Sequence, residues 1–165
     1  MKKKIFFLFL ALILPGIVFV FLKKFGRNEF DIPIYFQHNT DSLNSLCGTH
    51  YSEPYQLPDS VLEKTGWHSG RPSIFVTDSI VNSNSEFKRL AGNFDARDFQ
   101  VIGINATKYG EAAFQRWSAC VLMVKAPYNV VLVDTEKRIR GYYSIGSREE
   151  TDRLIVELEI LLKKY

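Results

Sequence analysis

"VVLVDTEKRIRGYYSIGSREETDRLIVELEILLKKY", Val130 to Tyr165, decides the fold. Val130 to Asp134 is a short β-branched run of the buried-strand type. "TEKR" is a turn, and Ile139 to Tyr143 returns as a second strand, which makes an antiparallel hairpin. Ser147 lies three residues before Glu150, a capping-box spacing that starts a helix. Leu154, Leu158, Leu161 and Leu162 then recur at i, i+4, i+7 and i+8 and form one core-facing stripe. Lys163 and Lys164 suit the negative end of the helix dipole.

Upstream, "RPSIFVTDSIVNSNSEFKRL", Arg71 to Leu90, reads as strand, loop and helix. Ile74, Phe75 and Val76 form the strand. Ser83 and Glu86 have capping-box spacing, and Phe87, Leu90 and Ala91 follow at helical spacing. "FQVIGIN", Phe99 to Asn105, is a continuous apolar run, as expected of a buried parallel strand. "GEAAFQRWSAC", Gly110 to Cys120, is a helix with Ala113, Phe114 and Trp117 on one face. Strand–helix–strand implies parallel strands joined by a right-handed crossover. Joined to the hairpin and last helix, it predicts an α/β thioredoxin-like fold, a central mixed sheet flanked by helices. Gln37 to Gly70 is loop-rich, with one helical turn expected in "LPDSVLEKTGW", capped by Asp59 or Ser60. Trp117, Phe114, Tyr142 and Tyr143 are expected to serve core and cross-strand packing.

The N-terminus carries "IFFLFLALILPGIVFVFL", Ile5 to Leu22, without a charged residue. That is about the length of the shortest membrane-spanning helices, and Pro15 and Gly16 are tolerated in a span. No small-residue cleavage site comes after Leu22. The expected organisation is a membrane anchor over residues 1–24, then a juxtamembrane linker and first strand over 25–36. A thioredoxin-like domain over 37–165 completes it, with Ile32 to Phe36 as a short edge strand. A short tail before a single span usually exports the chain on the far side of that span. The chain is therefore expected in the cytoplasmic membrane, with its C-terminal domain in the periplasm or outside the cell.

The net charge of +3 comes from the lysines around that segment. Without Lys2, Lys3, Lys4, Lys23 and Lys24, the remaining 16 basic and 18 acidic residues leave a charge near −2. That balance offers no basic face for nucleic acid. Cys47 and Cys120 are the two cysteines of the chain. Their spacing leaves two states open, one disulfide or two unpaired buried thiols. A disulfide closing so long a loop stabilises by up to ~4–5 kcal/mol in the chain-entropy model.

The closing segment closely resembles the C-terminal part of the Sco/SenC family. Its members are membrane-anchored thioredoxin-fold proteins that help deliver copper to respiratory oxidases. The "LVD" and "RIRGYY" of the hairpin and the acidic-capped helix carry the resemblance, and "DIPIYF", Asp31 to Phe36, is similar to the "LPIY" that opens many members' mature domains. The resemblance implies a C-P-x-x-C-P type motif in the loop after the Ile74 strand. Here Asp78 and Asn82 stand at the two cysteine positions, with Ser79 and Ser83 at the prolines. It also implies a histidine before the hairpin, where "KAPYNVVLVD" has Ala126 or Pro127. A carboxylate and an amide are hard ligands unsuited to Cu(I), and neither forms a disulfide. Asp78 and Asn82 are accordingly expected to shape a turn and cap a helix. Thioredoxin-like proteins often carry a cis-proline where Pro127 stands, although a trans turn proline is the ordinary case.

The expected protein is not an enzyme. It has no catalytic, cofactor-binding or metal residues, and no Ser-His-Asp set, phosphate loop or nucleotide fingerprint. Its expected work is contact with a protein or peptide partner, in respiratory-oxidase or envelope assembly. The alternative is a copper metallochaperone or thiol protein with a relocated site. Cys47 and Cys120 would build that site with His38, His50 and His68, starting from the Cys-x-x-His of "CGTH".

Overall fold

Ile74, Phe75 and Val76 lie in strand β1, Ser73–Val76, whose four residues are all buried. The computed structural model describes residues 13–21, 23, 31–38, 47, 48, 50–77 and 83–164. The chain divides into two compact units, Met1–Asp31 and Ile32–Tyr165. In the first, residues 13–21 are helical and exposed. No helix among the described residues is long and apolar enough to cross a membrane. The span expected over Ile5 to Leu22 lies partly outside them.

The second unit is a mixed α/β domain. Helix α1 is Asp59–Thr65, followed by β1, helix α2 at Ser85–Gly92 and strand β2 at Gln100–Gly103. Helix α3, Ala106–Tyr109, and helix α4, Glu111–Arg116, lead into a π turn at Trp117–Val121. Strand β3, Val130–Val133, strand β4, Ile139–Tyr143, and helix α5, Arg148–Lys164, complete the chain. The four-stranded sheet has the order β2-β1-β3-β4. β1 runs parallel to β2 and antiparallel to β3, and β3 pairs antiparallel with β4. The hairpin and the parallel crossover thus occur where the sequence pattern puts them.

Side chains alternate across the two central strands, so the sheet separates two cores. One face carries Phe75, Val131 and Val133 against Leu62 of α1, Trp117 and Val121. The other carries Ile74, Val76, Val130 and Leu132 against Phe87 and Leu90 of α2 and against α5. Leu154, Leu158 and Leu161 are fully buried, as their stripe predicts, and Leu162 packs at the core's edge.

Several local expectations change. Ile32 to Phe36 is not a strand. The segment is tied to β4 by Tyr35 N donating to the Ile139 carbonyl (2.9 Å). Arg140 Nη2 also donates to the Ile32 carbonyl (2.6 Å). Asn84, not Ser83, caps α2, its side chain accepting from Glu86 N at 2.8 Å. Helix α1 starts after Pro58 without a side-chain cap and ends at Gly66 in the left-handed conformation. Glycine adopts that conformation at little cost. β2 is an edge strand. Ile102 is its one buried residue, and Val101 points to solvent. The helix expected over Gly110 to Cys120 stops at Arg116 and widens into the π turn.

Between Leu132 and Val133 the hairpin register shifts, Leu132 facing Gly141 and Val133 facing Ile139. Arg140 is the extra residue, and Ile139 therefore shares the core of Tyr142 despite the odd spacing. The Arg140 guanidinium reaches buried Asp134, whose Oδ2 accepts from Arg140 Nη1 (3.1 Å) and Arg138 Nε (2.8 Å). Asp134 Oδ1 accepts from the backbone N–H groups of Glu136 and Arg138, each at 2.9 Å. A carboxylate with no exposure needs such a full set of donors to replace its lost hydration.

Candidate functional site

The loop after β1 begins at Thr77, whose N–H and hydroxyl both donate to the Asn129 carbonyl, at 3.0 and 3.2 Å. Asn129 in turn receives Ile145 N on its side-chain oxygen at 3.0 Å. These bonds lock the end of β1 to the start of β3. Asp78, Ser79 and Asn82 lie outside the described residues. Ser83 is exposed just ahead of the Asn84 cap. The Ala126–Pro127 bond is cis, where a trans turn is the ordinary expectation, and Ala126, Pro127 and Tyr128 are exposed beside this strand end.

Cys47 and Cys120 are brought together. They form a disulfide with an S–S distance of 2.06 Å and a Cα separation of 5.7 Å. This decides between the two states open to them. The histidines do not join that pair in a ligand set. His38, His50 and His68 are exposed. The backbone of His68 is fastened to Gln100 of β2 by two hydrogen bonds, at 3.0 and 2.7 Å. Among the described residues no three His, Cys, Asp or Glu side chains gather as a metal site would require.

Beside the disulfide, the π turn has its own polar support. The Leu122 N–H donates to the Trp117 carbonyl (2.8 Å), closing a wider ring than an α-helix does. The carbonyls that end this turn lack intrahelical partners. Three tyrosines from elsewhere in the chain supply the donors. Tyr51 Oη donates to the Cys120 carbonyl (2.6 Å), Tyr55 Oη to Val121 (2.7 Å) and Tyr142 Oη to Leu122 (2.9 Å). Burial pushes the phenols of Tyr55 and Tyr142 far up, which keeps them protonated and able to donate. Tyr51 also moves up through burial, and the nearby Arg116 guanidinium opposes that shift.

Between α1 and the π turn lies a cavity of about 330 Å³. Tyr51, Val61, Trp117 and Val121 form apolar walls, Cys120 borders it, and Lys64 and Arg116 stand on it as cations. Trp117 is backed by Tyr109, with ring centroids 4.9 Å apart. No sequence motif marks this place. The nearest signals are the local spacings of Val61 with Lys64 and of Arg116 with Cys120, which put each set on one turn of chain. Only the tertiary pairing of α1 with the π turn brings the two sets together.

No family model, curated protein or solved structure matches this chain.

Proposed function

We propose that the chain is a thioredoxin-like domain related to the Sco/SenC family. In this reading its N-terminal apolar segment holds it at the cytoplasmic membrane with the domain outside the cytoplasm. It works by contact with a protein or peptide partner, in respiratory-oxidase or envelope assembly, without copper or redox chemistry in the loop after β1. The observation that carries this reading is the pairing of the chain's two cysteines with each other. Both lie outside that loop, so no thiolate is available there for Cu(I). The sheet order and the hairpin followed by α5 are what such a fold requires. The side of β2 that pairs with no strand among the described residues, with Val101 exposed, offers an edge on which a peptide strand can add.

A thiol protein working through Cys47 and Cys120 is the second reading, favoured by the cavity that Cys120 borders. A Cu(I) titration of the chain against a competing chelator under reducing conditions separates copper delivery from both. The expected result is no competition. One tightly held equivalent, lost in Cys47→Ser, would overturn the interaction reading in favour of a moved copper site. The contact itself is tested with a photocrosslinker at Val101 in native membranes, with Val156, an exposed valine on α5, as the control. A partner polypeptide trapped from position 101 and not from 156 is expected. Equal yields, or none, would count against the edge as the contact.

A further inference from the structure

The cavity between α1 and the π turn differs from an ordinary packing defect in its chemistry. Its walls are apolar and aromatic, yet two cations face it and no carboxylate lines it among the described residues. Several cations of the domain have carboxylate partners, while others, such as Lys88 and Lys125, have none among the described residues. Lys137 pairs with Asp59, Arg89 with Glu86 and Asp152, and Arg153 with Glu150. Lys64 and Arg116 have no such ion pair among the described residues. Two like charges turned to one small space repel each other, and an anion placed between them relieves that repulsion. Arg116 already acts electrostatically on the Tyr51 phenol in the cavity wall. The far wall is held in place independently of any ligand. The Cys47–Cys120 disulfide and the Tyr51 and Tyr55 hydroxyls fix the π turn that presents Trp117 and Val121.

We propose that this cavity is a binding site for a small monoanion with an apolar body, of the aryl- or alkyl-carboxylate class. Lys64 and Arg116 hold the carboxylate at the mouth, and Tyr51, Val61, Trp117 and Val121 enclose the body. The size agrees, since about 330 Å³ is roughly twice the engineered cavity that admits benzene. It leaves room for one ring or a short chain with its acid group. Polyphosphates suit it poorly, because its walls are apolar and its described lining has no glycine-rich backbone cradle. The site stands apart from the interaction reading and survives its failure.

The test uses the full chain in a non-ionic detergent and two probes of the same shape, 4-nitrobenzoate and its neutral amide, 4-nitrobenzamide. Both quench tryptophan fluorescence, and Trp117 lines the cavity. The benzoate is expected to quench saturably and to bind about ten-fold tighter than the amide, the worth of two exposed charge pairs. The doubly substituted Lys64→Gln, Arg116→Gln chain changes only exposed positions. In it the two probes are expected to agree within about two-fold, with amide binding retained. Linear, unsaturable quenching by the benzoate in the native sequence would overturn the proposal. So would an anion preference that survives the double substitution.

Discussion

Tyr143 leaves Gly141 no room for a side chain, because a Cβ there would overlap the phenol ring two residues on. The ring cannot move aside cheaply. It is fully buried, its hydroxyl donates to Glu157 Oε2, and the Arg153 guanidinium sits 4.4 Å from its centroid. Gly141→Ala is therefore expected to lower stability by about 1–3 kcal/mol, the usual cost of overpacking, as a reduced urea midpoint. An unchanged midpoint would mean that the strand bends without penalty. The neighbouring Arg140 poses the opposite problem, a charge that must stay. Arg140→Met would strip Asp134 of one guanidinium and the Ile32 carbonyl of its donor. Breaking a buried pair commonly costs about 3–5 kcal/mol. The lower end, about 3 kcal/mol, is expected here, because Arg138 and two backbone N–H groups remain on Asp134.

At the scale of elements, the legible part is the part that local periodicity determines. The leucine stripe of α5 and the alternation in the hairpin depend on neighbours in the chain, and both appear where expected. The π turn does not. "EAAFQRWSAC" has good helix formers throughout, and nothing in it announces that the ladder widens at Trp117. The cause is tertiary, because tyrosines at 51, 55 and 142 satisfy the carbonyls that the wider turn frees. The edge position of β2 escapes the sequence for a related reason. A short apolar run looks the same at an edge as in the centre of a sheet, and only the strand order distinguishes them. The candidate cavity is illegible because each half, Val61 with Lys64 and Arg116 with Trp117 and Val121, looks like an ordinary helix turn until the fold brings the two together. The tyrosine support makes its own prediction. Tyr55→Phe leaves the Val121 carbonyl without its donor in a buried setting and should cost about 1–3 kcal/mol. Hydrogen exchange at the amides of Leu122 and Val124, which close the π turn, should accelerate with it. Destabilisation without faster exchange there would detach the hydroxyl from the turn.

Across the whole molecule, a covalent link joins the loop-rich first part of the domain to the π turn. The Cys47–Cys120 disulfide spans 73 residues and lies against the core that contains Tyr51, Tyr55 and Tyr142. Its loss, by reduction or by Cys47→Ser, should lower stability by about 4–5 kcal/mol on the chain-entropy argument, read from urea midpoints with and without reductant. The same core sets the response to alkali. Tyr55, Tyr142 and Tyr143 have their phenols pushed up mainly by burial, and the hydrogen bond to Glu157 adds to the shift for Tyr143. In the unfolded chain each titrates near the ordinary value of about 10. Above that pH the folded state therefore holds more protons than the unfolded state, and stability must fall as pH rises. Below pH about 10 the contribution is fully present. The loss is compounded because Tyr55 and Tyr142 cease to be donors once ionised, which uncovers the carbonyls of the π turn. The expected record is a tyrosinate absorbance titration in which Tyr55, Tyr142 and Tyr143 ionise in one cooperative step that coincides with loss of the far-ultraviolet circular dichroism. Tyr55→Phe should move that step to higher pH relative to its own stability at neutrality, since one linked proton has been removed. All eight tyrosines ionising smoothly near their ordinary value, with the dichroism intact, would show that the core does not exclude the phenolates.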